Sequence, residues 1–243
     1  MKKLLSVIMM FALVSCSYIN TKSLKETSPF ENSTCRLPCW YGMTVGKTTK
    51  QEALDILQSV GLVNPDSIEI VEAEPKYIFD EIVYFTLGKG PRFLKAGSDI
   101  SDDEFTREPT IIRIDYDWGG EISILDGKVS KMEFSGDLGL TIQQVIDIFG
   151  DPSYAISLTS PGGFPEVEFL NPAQGVDFGY GTEDYESEIT PETKISDLIL
   201  FDPTLYNEML ENYQFAFGQR SDEMDKYEWK GFGKIDMYWY VKK

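Results

Sequence analysis

"TKQEALDIL", residues 49–57, and "TIQQVIDIF", residues 141–149, decide how this sequence is read. Laid over one another, they share Thr, Gln, Asp and Ile at four of nine positions, and three further positions are apolar in both. Each copy opens on a threonine that can accept hydrogen bonds from the free N–H groups of a helix start. A Gln or Glu three residues later can reach back to close a capping box. In the first copy Thr48 or Thr49 serves, with Gln51 or Glu52; in the second, Thr141 with Gln144. Ala53, Leu54, Leu57 and Val60 fall on one face at helical spacing, and Gly61 ends that run. The second run stops at Gly150-Asp151-Pro152.

Outward from each helix the period changes from 3.6 to 2. After the first come β-rich segments at Ile68–Val71, Ile82–Leu87 and Ile111–Trp118. A hairpin then pairs Glu121–Leu125 with Lys128–Ser135 through Asp126-Gly127, a dipeptide favoured where both turn residues need positive φ. Gly88 to Pro109, rich in Gly, Pro and acids, is a long loop between strands. After the second helix come Tyr154–Thr159, Val167–Leu170, Val176–Tyr180 and Leu198–Phe201, then a short helix at Thr204–Glu211. Ile235, Met237, Trp239 and Val241 alternate with polar or amphipathic residues, which predicts a final strand. The recurrence of helix then strands predicts an α+β fold of two tandem repeats, residues 35–135 and 136–243, each a capped helix packed on an antiparallel sheet.

The N-terminal stretch MKKLLSVIMMFALVSC reads differently. Lys2 and Lys3 precede a short apolar run, Leu4 to Val14, too short to span a bilayer. Leu13-Val14-Ser15-Cys16 resembles the bacterial lipobox. That resemblance implies removal of residues 1–15 as a lipoprotein signal peptide, diacylglyceryl attachment to the Cys16 sulfur and acylation of the new amino terminus. Two or three acyl chains anchor a protein stably where one does not. The expected location is the cell membrane or outer membrane, facing away from the cytoplasm. Residues 16–34, polar and without periodicity, predict a flexible lipid-anchored tether.

Composition narrows the chemistry. A net charge of −18 at pH 7 argues against nucleic acid and anionic lipid as partners. With no histidine in the chain, the commonest general base and zinc ligand is missing. Three cysteines are present; with Cys16 assigned to lipid, Cys35 and Cys39 in "CRLPC" form an even pair, and a local disulfide is the preferred reading. A metal site needs more ligands than two cysteines, and a redox CxxC needs two intervening residues, where three stand here.

Two resemblances follow from these residues. "GLTIQQVIDIFGDPSYAI", 139–156, is similar to the first-helix signature of the BamE/SmpA-type and β-lactamase-inhibitor-protein-like fold, small α+β units used singly or in tandem. That fold implies protein–protein contact. "CRLPCWYGMTVGKTTKQEALDIL", 35–57, with Trp229 to Gly233 near the C-terminus, resembles a group of bacterial lipoproteins from Chloroflexi-like organisms with a C-x-L-P-C-W-x-G motif; this second resemblance brings no activity with it.

Other motifs have blander readings. Gly42, Gly46, Lys47 and Thr48 suggest a phosphate loop, but the Walker spacing needs four residues between its glycines, and three stand here. No nucleotide is therefore expected. The acidic runs Asp99, Asp102, Asp103, Glu104 and Glu183, Asp184, Glu186, Glu188 lack the ligand order of a calcium loop. Carboxylate pairs able to run glycoside hydrolysis are inevitable among 40 acids. The 15 Phe, 13 Tyr and 4 Trp can fill a core or supply an exposed recognition surface. The expectation is a membrane-anchored protein-interaction or ligand-binding module with no catalysis and no cofactor. A cell-wall or glycan hydrolase using an Asp/Glu pair is the alternative.

Overall fold

The computed structural model describes residue 30 and residues 35–75, 77–87, 119–159, 164–184, 186–211 and 227–238. The predicted lipidation site Cys16, the predicted signal peptide, the predicted tether apart from Phe30, the predicted strand at Ile111–Trp118, the predicted loop at Gly88–Pro109 and the acids Asp99–Glu104 lie outside them.

Both capping boxes form. Helix α1 (Lys50–Ser59) is capped by Thr49, whose side chain accepts from the Glu52 N–H while Glu52 reaches back to the Thr49 N–H. Helix α2 (Ile142–Phe149) repeats this with Thr141 and Gln144. Even the internal Gln-to-Asp bond recurs: Gln51 Nε2 donates to Asp55, and Gln143 Nε2 to Asp147, each at 2.8 Å. Such caps contribute about 1 kcal/mol apiece, enough to place helix starts but not to choose a fold.

The strands overturn the tandem-repeat prediction. In chain order they are β1 (Cys39–Trp40), β2 (Met43–Thr44), β3 (Glu69–Glu72), β4 (Glu81–Thr86), β5 (Gly119–Leu125), β6 (Lys128–Ser135), β7 (Tyr154–Thr159), β8 (Pro165–Asn171), β9 (Val176–Gly181), β10 (Glu188–Ile189), β11 (Asp197–Phe201) and β12 (Gly233–Lys234). Eight of them form one antiparallel sheet in the order β3-β4-β5-β6-β11-β9-β8-β7. The join is β11, which pairs with β6 on one side (Ile199 opposite Glu133) and β9 on the other (Ile199 opposite Asp177). The described chain is thus mostly β, with three short α-helices, and not two helix-capped sheets. The physical reason lies in the core. Trp40, Leu57, Phe85, Phe134, Val145, Phe149, Phe169 and Phe178 belong to one buried cluster that runs across the strands from both sides of Ser135. Two separate sheets would have left open edges and divided that apolar surface.

The β5–β6 hairpin forms as its sequence predicts, with positive φ at Asp126 (50°) and Gly127 (72°). The segment after Thr204 divides into a 3-10 turn, Pro203–Leu205, and helix α3 (Tyr206–Glu211). The predicted final strand does not form at Ile235: Ile235–Tyr238 is a 3-10 turn. Residues 239–243 lie outside the described residues. Alternation misled because Ile235 and Tyr238, three apart, are the buried pair.

The sheet buries apolar side chains on both faces. One carries α1, α2 and the larger core; the other packs Ile156, Leu170 and Phe201 against Met209 and Leu210 of α3, with Phe79 and Tyr227.

Candidate functional site

Strand alternation places a row of charged side chains in the middle of the α3-bearing face. In β9, Val176 and Phe178 belong to the main core, so Asp177 points to the opposite side. The same logic puts Asp197 of β11, Glu166 and Glu168 of β8, Lys131 and Glu133 of β6 and Glu121 of β5 on that face. Register brings them side by side. Asp177 and Glu133 flank Ile199 on neighbouring strands, and Asp197 and Glu168 flank Gly179.

Their environments differ sharply. Lys131 is buried between Glu121 (2.8 Å) and Glu133 (3.0 Å). Burial alone would lower its pKa, but the two glutamates outweigh burial and hold it raised. Asp177 is 1% exposed, and neither carboxylate oxygen has a hydrogen-bond partner among the described residues. Burial first, then the fields of Glu168, Asp197 and Glu133, push its pKa well above the usual carboxylate range, against a weak opposing effect of the Phe178 N–H. Asp197 is pushed up to about 6, by burial first; the Ser196 hydroxyl, donating at 2.8 Å, opposes the shift. Gly179 makes room for this carboxylate: a Cβ there would lie 2.4 Å from Asp197 Oδ2.

Burial therefore disfavours the charged form of Asp177, near Asp197, whose carboxyl is pushed up to about 6. In composition this is what a two-carboxylate hydrolase requires, two neighbouring carboxylates in unlike environments. Access is what it lacks. At 1% exposure, Asp177 can meet no substrate oxygen unless the sheet face opens. Among the described residues no group of three or more His, Cys, Asp or Glu side chains is placed to hold a metal ion. The sequence reading singled out none of these acids. The available signal was an Asp set between two core-facing residues in "VDFGY", which alternation alone assigns to a solvated face.

A second constellation is built by the last described segment. Trp229 stacks on Tyr238 (centroids 5.5 Å, planes 6° apart) and meets Phe169 edge-on at 5.3 Å. Phe232 lies edge-on to Trp229 at 5.7 Å. The turn between them is tied at several points. The Tyr238 hydroxyl donates to the Gly231 carbonyl, Lys230 Nζ donates to the Met237 carbonyl at 3.1 Å, and the Trp229 N–H donates to the Ser153 carbonyl at 3.1 Å. Burial pushes the Tyr238 hydroxyl up to about 12, so it stays a donor at any physiological pH. Phe232 and Met237 are each 37% exposed; Phe232 packs on Trp229, and a Cβ at Gly233, next to Phe232 in the chain, would lie 2.6 Å from Met237 Sδ.

The remaining sequence candidates fall as follows. Cys35 and Cys39 are disulfide-bonded, with Cα atoms 5.7 Å apart, and the Gly42 N–H donates to Cys35 Sγ at 3.1 Å. The segment that looked like a phosphate loop has its amides committed. Thr44 N–H goes to Thr48 Oγ1, Gly46 N–H to the Val129 carbonyl, and Lys47 and Thr48 N–H to the Thr44 carbonyl. In the acidic run at 183–188, Asp184 Oδ1 accepts from the Glu186 N–H and Thr182 Oγ1 from the Asp184 N–H, which makes it a self-bonded turn. No helix among the described residues is long and apolar enough to cross a membrane. No family model, curated protein or solved structure matches the chain.

Proposed function

We propose that this chain is a lipid-anchored module, held outside the cytoplasm through Cys16, that binds a protein partner. The observation that carries the reading is exposed Phe232, packed on the Trp229–Tyr238 stack, with exposed Met237 preceding Tyr238 in the chain. Preordered aromatic and methionine side chains lose little entropy on binding and are common anchors of protein interfaces. The lipobox at Leu13–Cys16 supports the anchor, and the Cys35–Cys39 bond is compatible with an oxidising compartment. The resemblance of residues 139–156 to an interaction fold points the same way, as an analogy only. The closed setting of Asp177 favours binding over the hydrolase alternative.

A photoactivatable residue at position 232, irradiated in the native envelope and followed by mass spectrometry, tests the partner. A discrete crosslinked protein, lost on Met237→Asp, is expected; no crosslink above background ends the assignment of the Phe232 surface as the contact. For the anchor, wild-type chain should fractionate with membranes and carry acyl mass at its amino terminus. Cys16→Ala still fractionating with membranes, with no acyl mass on wild type, ends that part.

A further inference from the structure

The two ends of the sheet are unlike. At the β7 end, Tyr154 bridges to Glu228 and the Trp229 N–H bonds the Ser153 carbonyl. The β3 end is open. Which backbone groups face outward follows from the ladder between β3 and β4. Ala73 N–H donates to the Asp80 carbonyl at 3.0 Å. On the same side of β4, the Thr86 N–H donates to Ser67 Oγ at 2.8 Å and the Thr86 carbonyl accepts from the Asn64 N–H at 2.9 Å. In an antiparallel pair the backbone groups alternate in direction. With Glu69 opposite Tyr84 and Val71 opposite Ile82, the groups of Glu69 and Val71 face β4, and those of Ile70 and Glu72 point away from the sheet. Neither Ile70 nor Glu72 has a backbone partner on that side among the described residues.

The side chains on this edge say what can pair with it. Ile70 is 44% exposed, the largest exposure among the apolar residues of the sheet strands. Glu69 and Glu72 flank it, and Asp66 and Glu74 stand exposed beyond them. Acids on an edge strand discourage pairing with a like-charged strand. A second copy would bring Glu69 and Glu72 against their own kind with no base from either strand. A basic strand meets the opposite situation, because Glu69 and Glu72 meet opposite charge while the outward N–H and C=O groups enter a ladder.

We propose that the β3 edge docks an extended, basic segment of a protein partner, which adds one strand to the sheet by β-augmentation. The proposal rests on the reading of the chain as an interaction module and names the chemistry of what it binds. Main-chain bonds to Ile70 and Glu72 supply affinity. An apolar residue beside Ile70 and basic residues near Glu69 and Glu72 supply selectivity. Because the charges are exposed, binding weakens with added salt.

The probe is a blocked, fluorescent decapeptide of alternating lysine and valine, with its glutamate–valine counterpart as control, titrated by anisotropy. Ile70→Pro is the decisive variant. The Ile70 N–H faces outward, so proline leaves the bonds to β4 intact while removing a donor and crowding the edge. The lysine peptide is expected to bind wild type, and to bind Ile70→Pro and the Glu69→Lys/Glu72→Lys double variant at least about tenfold more weakly, roughly one lost edge hydrogen bond or more. The glutamate peptide is expected not to bind. An affinity that Ile70→Pro leaves unchanged overturns the proposal, as does equal binding of both peptides. If Ile70→Pro does not fold, the charge-reversal variant decides in the same way.

Photoactivatable residues at positions 70 and 232 in the native envelope separate the two readings. Crosslinks from 70 support the edge, whether or not 232 also reacts. Crosslinks from 232 alone overturn the edge and leave the interaction module standing. Crosslinks from neither overturn both.

Discussion

Asp197→Asn tests the electrostatics of the acid row most directly. In the folded chain the pKa of Asp197 rises from its ordinary 3.8 to about 6. A raised carboxylate pKa means that the folded state holds its proton more tightly than the unfolded chain. The resulting stability is fully present below the unfolded pKa, and it is lost as pH rises to about 6. The rise to about 6 corresponds to about 3 kcal/mol lost between pH 4 and pH 7. Asparagine carries no charge to desolvate, and its carbonyl oxygen can still accept from the Ser196 hydroxyl in the space above Gly179. Weakening that charge-assisted bond costs about 1 kcal/mol, which leaves a net gain of about 2 kcal/mol at pH 8. For a chain of this size that is about 4–8 °C in melting temperature. Urea denaturation of wild type and variant at pH 4, 5, 6, 7 and 8 reads the effect. The two midpoints should coincide near pH 4, or favour wild type slightly, and separate in favour of the variant as pH rises through 6. Asp177→Asn should act in the same direction, since burial raises that carboxyl as well. Parallel pH profiles for wild type and Asp197→Asn would show that the carboxyl is not held in a desolvated site, and the reasoning would fall.

Three further outcomes follow from named contacts. Lys131→Met removes the buried cation between Glu121 and Glu133 and should lower stability by about 3–5 kcal/mol; adding Glu121→Gln and Glu133→Gln should recover most of the loss in the same urea titration. Gly120→Ala would put a Cβ 2.2 Å from Phe85 Cζ, in the stack of Trp40, Phe85 and Phe134. A loss of about 1–3 kcal/mol is expected, and an unchanged urea midpoint would mean the ring yields freely. Replacing Cys35 and Cys39 together by serine opens a short covalent loop and should cost about 2 kcal/mol on a chain-entropy view; a larger loss would show that the hook also holds Trp40 in the core.

Local signals were legible wherever a few neighbouring residues decide the outcome. Both capped helix starts, at Thr49 and Thr141, and the Asp126-Gly127 turn depend on side chains within four positions of one another. So does the Cys35–Cys39 pairing. The matching helices then suggested separate units, but a sequence match carries no information on how many sheets the following strands will share.

That number was settled by long-range contact. β11 pairs with β6 far along the chain, Asp197 opposite Ser135, a separation at which local pattern says nothing about partner choice. The same pairing turned Asp177 from an ordinary polar position on a solvated face into a buried, unpartnered acid, because a strand with neighbours on both sides and a covered face leaves its alternate residues nowhere wet to go. It also left β3 as the end strand of the sheet among the described residues. The sequence by itself determined the two capped helices, the Asp126-Gly127 hairpin turn and the net acidity of the chain. Only the tertiary structure decided the single sheet, the buried acids and which strand ends the sheet among the described residues. Those depend on which strands meet, and that is settled by closing one apolar core and leaving as few open edges as the chain allows.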